Sequence, residues 1–116
     1  MREVCFLLDR DGGVLWADAS ASPAALPDSR ARWQAIWRHR NVVDLIAHSH
    51  PAGPAAFSAE DVSTMAAIDA GLGRRLRYAV VAPAVTITRD GILVPEPTWV
   101  RLLRLASSGP SRSGPL

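Results

Sequence analysis

The sequence predicts an α/β domain built on a mixed β-sheet with few helices. Two observations carry this expectation. Short runs rich in branched and apolar residues, of strand length, alternate with stretches where apolar residues recur every three to four positions. Two Asp-Gly pairs, Asp11-Gly12 and Asp90-Gly91, each stand between apolar runs, a strong hairpin signal. The 116 residues make one domain, expected over 1–106, because a second would need roughly 100 residues more.

The elements follow in order. "EVCFLLDRDGGVLWADA" reads as two strands joined by the Asp11-Gly12 turn, and "SASPAALPDS" (20–29) as a loop. Asp28 or Ser29 can cap a helix to about Arg40, with Trp33, Ile36 and Trp37 on one face. "VVDLIAH" (42–48) has the length and branching of a buried strand. Ser58 opens a second helix striped by Val62, Met65, Ile68 and Leu72 and ended by Gly71 and Gly73. "LRYAVVA" (76–82) and "AVTITRDGILV" (84–94) supply further strands. Pro97 opens a last helix whose stripe is Trp99, Leu102, Leu103 and Ala106. The tail 107–116, "SSGPSRSGPL", lacks apolar period and is expected to be disordered.

Composition narrows the function classes. A hydrophobic fraction of 48% and a charged fraction of 21% suit a globular domain. No apolar run reaches the roughly 18 residues of a membrane span, and no secretory signal opens the chain, so a cytoplasmic setting is expected. Cys5 is the only cysteine, which excludes a disulfide framework and any multi-cysteine zinc site. The net charge of +2 is small, and the arginines are scattered, so a nucleic-acid partner, as for a component of a DNA-associated system, is only a minor alternative. All thirteen basic residues are arginine, which biased genomic composition explains.

Two of the three histidines stand together in "AHSHPAGPAAFSAED" (47–61). At a strand end, His48 and His50 at i and i+2 share a face, and Pro51 turns the chain out of the sheet. A loop then leads to Ser58 at a helix N-cap, with Asp61 three residues on. Two imidazoles and one carboxylate are three-ligand zinc chemistry with a fourth position left for water. Zinc lowers that water's pKa toward roughly 7 and polarises a carbonyl. Ser58 and Asp61 alone would make only a capping box, and His-x-His alone is a weak signal. The joint spacing arises by chance on the order of a few times in ten thousand such chains, so it points to a site. Two histidines and a carboxylate also hold non-haem iron, but that reading leaves Ser58 without a role. A zinc nucleobase deaminase is excluded by the missing Pro-Cys-x-x-Cys segment.

"HSHPAGPAAFSAED" resembles the JAMM signature of the MPN (JAB) metalloprotease family in its compact bacterial form. "REVCFLLDRDG" is similar to the family's first strand, where a glutamate precedes an apolar run, and the likeness extends over residues 3 to 94. It implies an MPN-like, cytidine-deaminase-like mixed sheet flanked by helices, with one zinc per chain held by His48, His50 and Asp61. It further implies that Ser58 steadies the oxyanion and that an upstream glutamate acts as general base. Only Glu3 precedes the histidines, since Glu60 and Glu96 follow them. The implied reaction is hydrolysis of peptide or isopeptide bonds at the C-terminal glycine of a ubiquitin-like or sulfur-carrier protein, with no membrane partner. The alternative is a non-catalytic MPN-like scaffold that retains its motif within an assembly.

The chain also departs from the family. It starts two residues before Glu3, where relatives usually carry a helix, and Asp9 stands where a glycine often ends the strand. Phe6 is expected to narrow the groove beside the metal. His39 is read as a favourable charge at a helix C-terminus, Cys5 as a small buried hydrophobe, and Trp33, Trp37 and Trp99 as core. Arg74, Arg75 and Arg77 are read as a solvated basic surface.

Overall fold

The computed structural model describes residues 3–19 and 30–108. Within them the chain runs β1 (Val4–Leu8), β2 (Val14–Ala19), α1 (Arg30–Arg38), β3 (Leu45–Ser49) and α2 (Ala59–Leu72). It continues through β4 (Arg77–Val81), β5 (Thr86–Thr88), β6 (Gly91–Ile92) and α3 (Thr98–Ser108). The strands form one six-stranded sheet in the order β2-β1-β3-β4-β5-β6. Only β3 and β4 pair in parallel, because α2 returns the chain to the same edge between them. The sheet is mixed, as the sequence predicts.

Side-chain alternation sorts the core into two layers. Val4, Phe6, Leu8, Leu45, Ala47, Ala79 and Val81 face α3 and pack on Trp99, Val100 and Leu103. On the opposite face Cys5, Leu7, Ile46 and Tyr78 pack on Ala35 and Ile36 of α1 and Ile68 of α2. Phe6 therefore lies on the face away from His48, and the expectation that it narrows the metal groove is corrected. Cys5 is fully buried, and burial, only partly opposed by the nearby Arg32, pushes its thiol up to about 12, so it is the inert hydrophobe expected.

The first hairpin owes its shape to Asp9. Its Oδ1 accepts the N–H groups of Asp11 and Gly13, while Gly12 adopts φ +85°. A Cβ at position 13 would come within 2.8 Å of Asp9 Oδ2, which accounts for the glycine there. In the second hairpin Gly91 takes φ +123° and pairs with Thr88.

Several helix faces differ from the expected stripes. In α1 the buried pair is Ala35 and Ile36, whereas Trp33 and Trp37 are 37% and 58% exposed, so these two tryptophans are not core. The Arg40 guanidinium covers Trp37 at 4.3 Å from the ring centroid. Val62 in α2 and Leu102 in α3 are likewise exposed, and α3 buries Trp99, Val100, Leu103 and Ser107. That helix runs two residues past the expected domain end, and the tail beyond Ser108 lies outside the described residues. So do the loop 20–29 and the proposed caps Asp28 and Ser29. The third strand begins at Leu45 because Val42 and Val43 N–H groups both turn back to the His39 carbonyl. Arg74 donates to the carbonyls of Arg40 and Val43 and Arg77 pairs with Asp44, so two of the three clustered arginines serve local structure. Among the described residues no helix is long and apolar enough to cross a membrane.

Candidate metal centre

The site forms where β3 ends and α2 begins. His48 is the penultimate residue of β3, and Ile46 before it shows that its face is the one covered by α1 and α2. His50 continues the parallel ladder one step beyond the strand, donating its N–H to Val81 O at 2.9 Å. Pro51 then releases the chain into the loop that ends at Ser58.

Ser58 and Asp61 close the loop by a reciprocal capping box. Asp61 N–H donates to Ser58 Oγ at 3.0 Å, and Ser58 N–H donates to Asp61 Oδ2 at 2.8 Å. Its partnered backbone thus holds the Asp61 carboxylate at the first turn of α2, aimed back at the histidines. Gly73, with φ +71°, ends the helix.

The three expected ligands meet there. His48 Nε2 lies 3.0 Å from His50 Nε2 and 3.3 Å from Asp61 Oδ1, and His50 Nε2 lies 3.6 Å from Asp61 Oδ2. Four-coordinate zinc at roughly 2.0–2.2 Å from each ligand separates its ligand atoms by about 3.3 Å, close to the 3.0–3.6 Å found here, although each histidine approaches a different Asp61 oxygen. A second observation supports the fit. His50 Nδ1 lies 3.0 Å from Pro54 O, and a carbonyl only accepts, so Nδ1 carries the proton. With Nδ1 so engaged, His50 turns Nε2 toward His48 and a carboxylate, the position a cation would take in place of the proton otherwise shared with Asp61. The side chains are 13–21% exposed, so the trio is reachable from solvent.

Electrostatics agree with the geometry. Burial pushes the Asp61 carboxyl up, but hydrogen bonding to His48 and His50 outweighs it and holds the group far below the usual carboxylate range. The Asp61 hydrogen bond raises the His50 pKa against the opposing effect of burial. The trio favours positive charge at its centre.

Glu3 reaches the same face by register. Cys5 pairs with His48 across β1 and β3, so one step further sets Val4 against Ser49, and two steps set Glu3 against His50. Burial pushes the Glu3 carboxyl up, partly countered by the charges of His48 and His50 and reinforced by Asp61 and Glu60. Ser58 sits at the helix cap, its hydroxyl accepting from Asp61 and keeping its own proton to donate. His39 lies in the turn after α1 and is not in the ligand group. Two contributors escaped sequence reasoning. The Pro54 carbonyl has no side-chain signal at all. Ser49, buried between the two ligands, accepts the Val4 N–H at 2.9 Å, and only its position inside His-x-His could have drawn notice.

A search of curated proteins finds no match. The family model of prokaryotic homologs of the JAB domain matches residues 4–101, a span that includes His48, His50, Ser58 and Asp61 and begins one residue after Glu3. With the mixed sheet, the strand-to-helix site and a match over most of its length, the chain belongs to the prokaryotic JAB domain family.

Proposed function

We propose that the chain is a zinc-dependent hydrolase that cleaves peptide or isopeptide bonds at the C-terminal glycine of a ubiquitin-like or sulfur-carrier protein. The observation that carries this reading is the convergence of the His48, His50 and Asp61 side chains, within 4.8 Å of one another, on the face to which register brings Glu3. Zinc bound by His48, His50 and Asp61 would supply an acidified water and a Lewis acid for the substrate carbonyl. Glu3 takes a proton from the attacking water and returns it to the leaving amine; its raised pKa brings it nearer the range where one carboxyl serves as base and then acid. The Ser58 hydroxyl donates to the developing oxyanion while its oxygen continues to accept from Asp61 N–H. An extended diglycine tail suits pairing with a sheet edge, which here means β2 or β6.

The test combines metal content with turnover. Protein purified without added metal should carry about one zinc per chain, in excess of iron. It should hydrolyse a diglycine-ended ubiquitin-like protein joined to an amine, and the His48→Ala, His50→Ala double variant should lose both metal and turnover. Iron in place of zinc would support the oxygenase chemistry instead. Full zinc without turnover on any such conjugate would replace the hydrolase with the scaffold reading.

A further inference from the structure

The residue between the two histidine ligands faces the other way. His48 and His50 look toward α2, whereas Ser49, 1% exposed, belongs to the face covered by α3. There it meets β1. The backbone ladder between β1 and β3 stops at the Cys5–His48 pair. Beyond that point His50 donates to Val81 of β4, and the next β1 donor, Val4 N–H, is taken by Ser49 Oγ at 2.9 Å rather than by a backbone carbonyl. This contact is buried and spans 45 positions of sequence. Val4 also faces Ala19 in the β1–β2 register, and Glu3 is its chain neighbour.

We infer that Ser49 is a positioning residue: its hydroxyl holds the first residue of β1 in register and thereby sets the Glu3 carboxylate opposite His50. The inference rests on the proposed hydrolase reading for its consequence in turnover, but the tether itself is a property of the fold. The last pair of a strand ladder is free to open unless something holds it. Here the backbone next to Glu3 is held by a side chain that springs from the same three-residue segment as two metal ligands. Base and ligands thus share one rigid support, so that a shift of β1 by a fraction of a strand step is resisted at the point where it would separate them. A misplacement of about 1 Å at a reacting group costs as much as 10²-fold in rate.

Ser49→Thr and Ser49→Val separate the hydroxyl from packing, since the two side chains have nearly one shape. A cavity of about 580 Å³ beside Ser49, also lined by Pro51, Val81 and Leu105, offers room for the added methyl group. Thr should match the parent. Val should exchange the Val4 amide proton at least tenfold faster, read by nuclear magnetic resonance, while Leu7 and Ala47 amides keep the parent's rates. It should also lower kcat by roughly 10- to 100-fold with KM within about twofold and zinc retained. If Val fails to fold, Ser49→Ala supplies the same comparison without the methyl groups. Unchanged Val4 exchange in Val or Ala overturns the tether. Equal loss of kcat in Thr and Val overturns the role of the hydroxyl, and faster exchange with full kcat overturns the positioning of Glu3. A parent without turnover sinks the hydrolase reading instead, and the exchange comparison still decides whether Ser49 holds β1.

Discussion

Replacing Glu3 by glutamine tests the part of the candidate site that lies outside the three possible metal ligands. Continuing the β1–β3 register sets Glu3 opposite His50, and side chains of directly opposed residues start about 4.5–5.5 Å apart at Cβ. One further methylene carries the carboxylate, which feels the charges of His48, His50 and Asp61, and a general base must come within one water of its target. Glutamine preserves volume and polarity and removes only the ability to take a proton. Burial disfavours the ionised Glu3 in the fold, so a neutral amide relieves a penalty and breaks no ion pair among the described residues. Stability should stay within about 1 kcal/mol of the parent. Zinc content should be unchanged, since Glu3 is not among the three grouped ligands. Turnover should fall by roughly 10² to 10⁴-fold, which at 1.36 kcal/mol per tenfold is about 2.7–5.4 kcal/mol on the barrier. The assay is hydrolysis of a diglycine-ended conjugate, with zinc measured by elemental analysis and unfolding by urea on the same preparation. Full turnover in the glutamine variant would refute Glu3 as the base. A loss of zinc parallel to the loss of turnover would make it a ligand instead.

Three other predictions follow from the same contacts. Chelation should abolish turnover yet leave the far-ultraviolet dichroism in place, because both core layers form without the ligand trio; cooperative unfolding on chelation would make the metal structural. Ser58→Ala removes the acceptor of the Asp61 N–H and should cost about 1 kcal/mol by denaturant titration, together with roughly 10²-fold in kcat from the lost oxyanion donor. Lost stability with intact kcat would reduce Ser58 to a cap. Asp69 accepts from Leu76 N–H, Tyr78 O–H and Arg89, so Asp69→Ala should destabilise by about 2–4 kcal/mol without changing metal content. Burial pushes the Asp69 carboxyl up, but these donors outweigh it and hold it below 3.8, so its stabilisation is present above that pH and lost as pH falls further. An alanine variant with the parent's acid-unfolding profile would show that the network contributes nothing.

Much of this protein was legible in its residues. Asp-Gly pairs between apolar runs, the Ser58 to Asp61 capping spacing and the glycine after α2 act within a few positions of chain, and the hairpins and helix ends they predict are present. The candidate metal trio was legible for a related reason. His48 and His50 are tied by strand alternation, and Asp61 by helix geometry, so their grouping needed only a loop of the right length. The sequence could not say which side of a short helix meets the sheet. Trp33 and Trp37 make a sound apolar stripe with Ile36, yet α1 packs through Ala35 and Ile36 and leaves both rings in solvent.

The sequence by itself determined what depends on neighbours along the chain: element types, turns, caps and the candidate ligands. Only the tertiary structure decided what depends on pairing across it. Register sent Phe6 to the α3 face and Glu3 to the face of His48, a distinction a one-residue slip would reverse. It also set Ser49 against Val4, 45 positions apart, where the hydroxyl completes a ladder that the backbone leaves unfinished. Local rules carry no information on such pairs, because the free energy that selects them comes from burying two distant segments against each other.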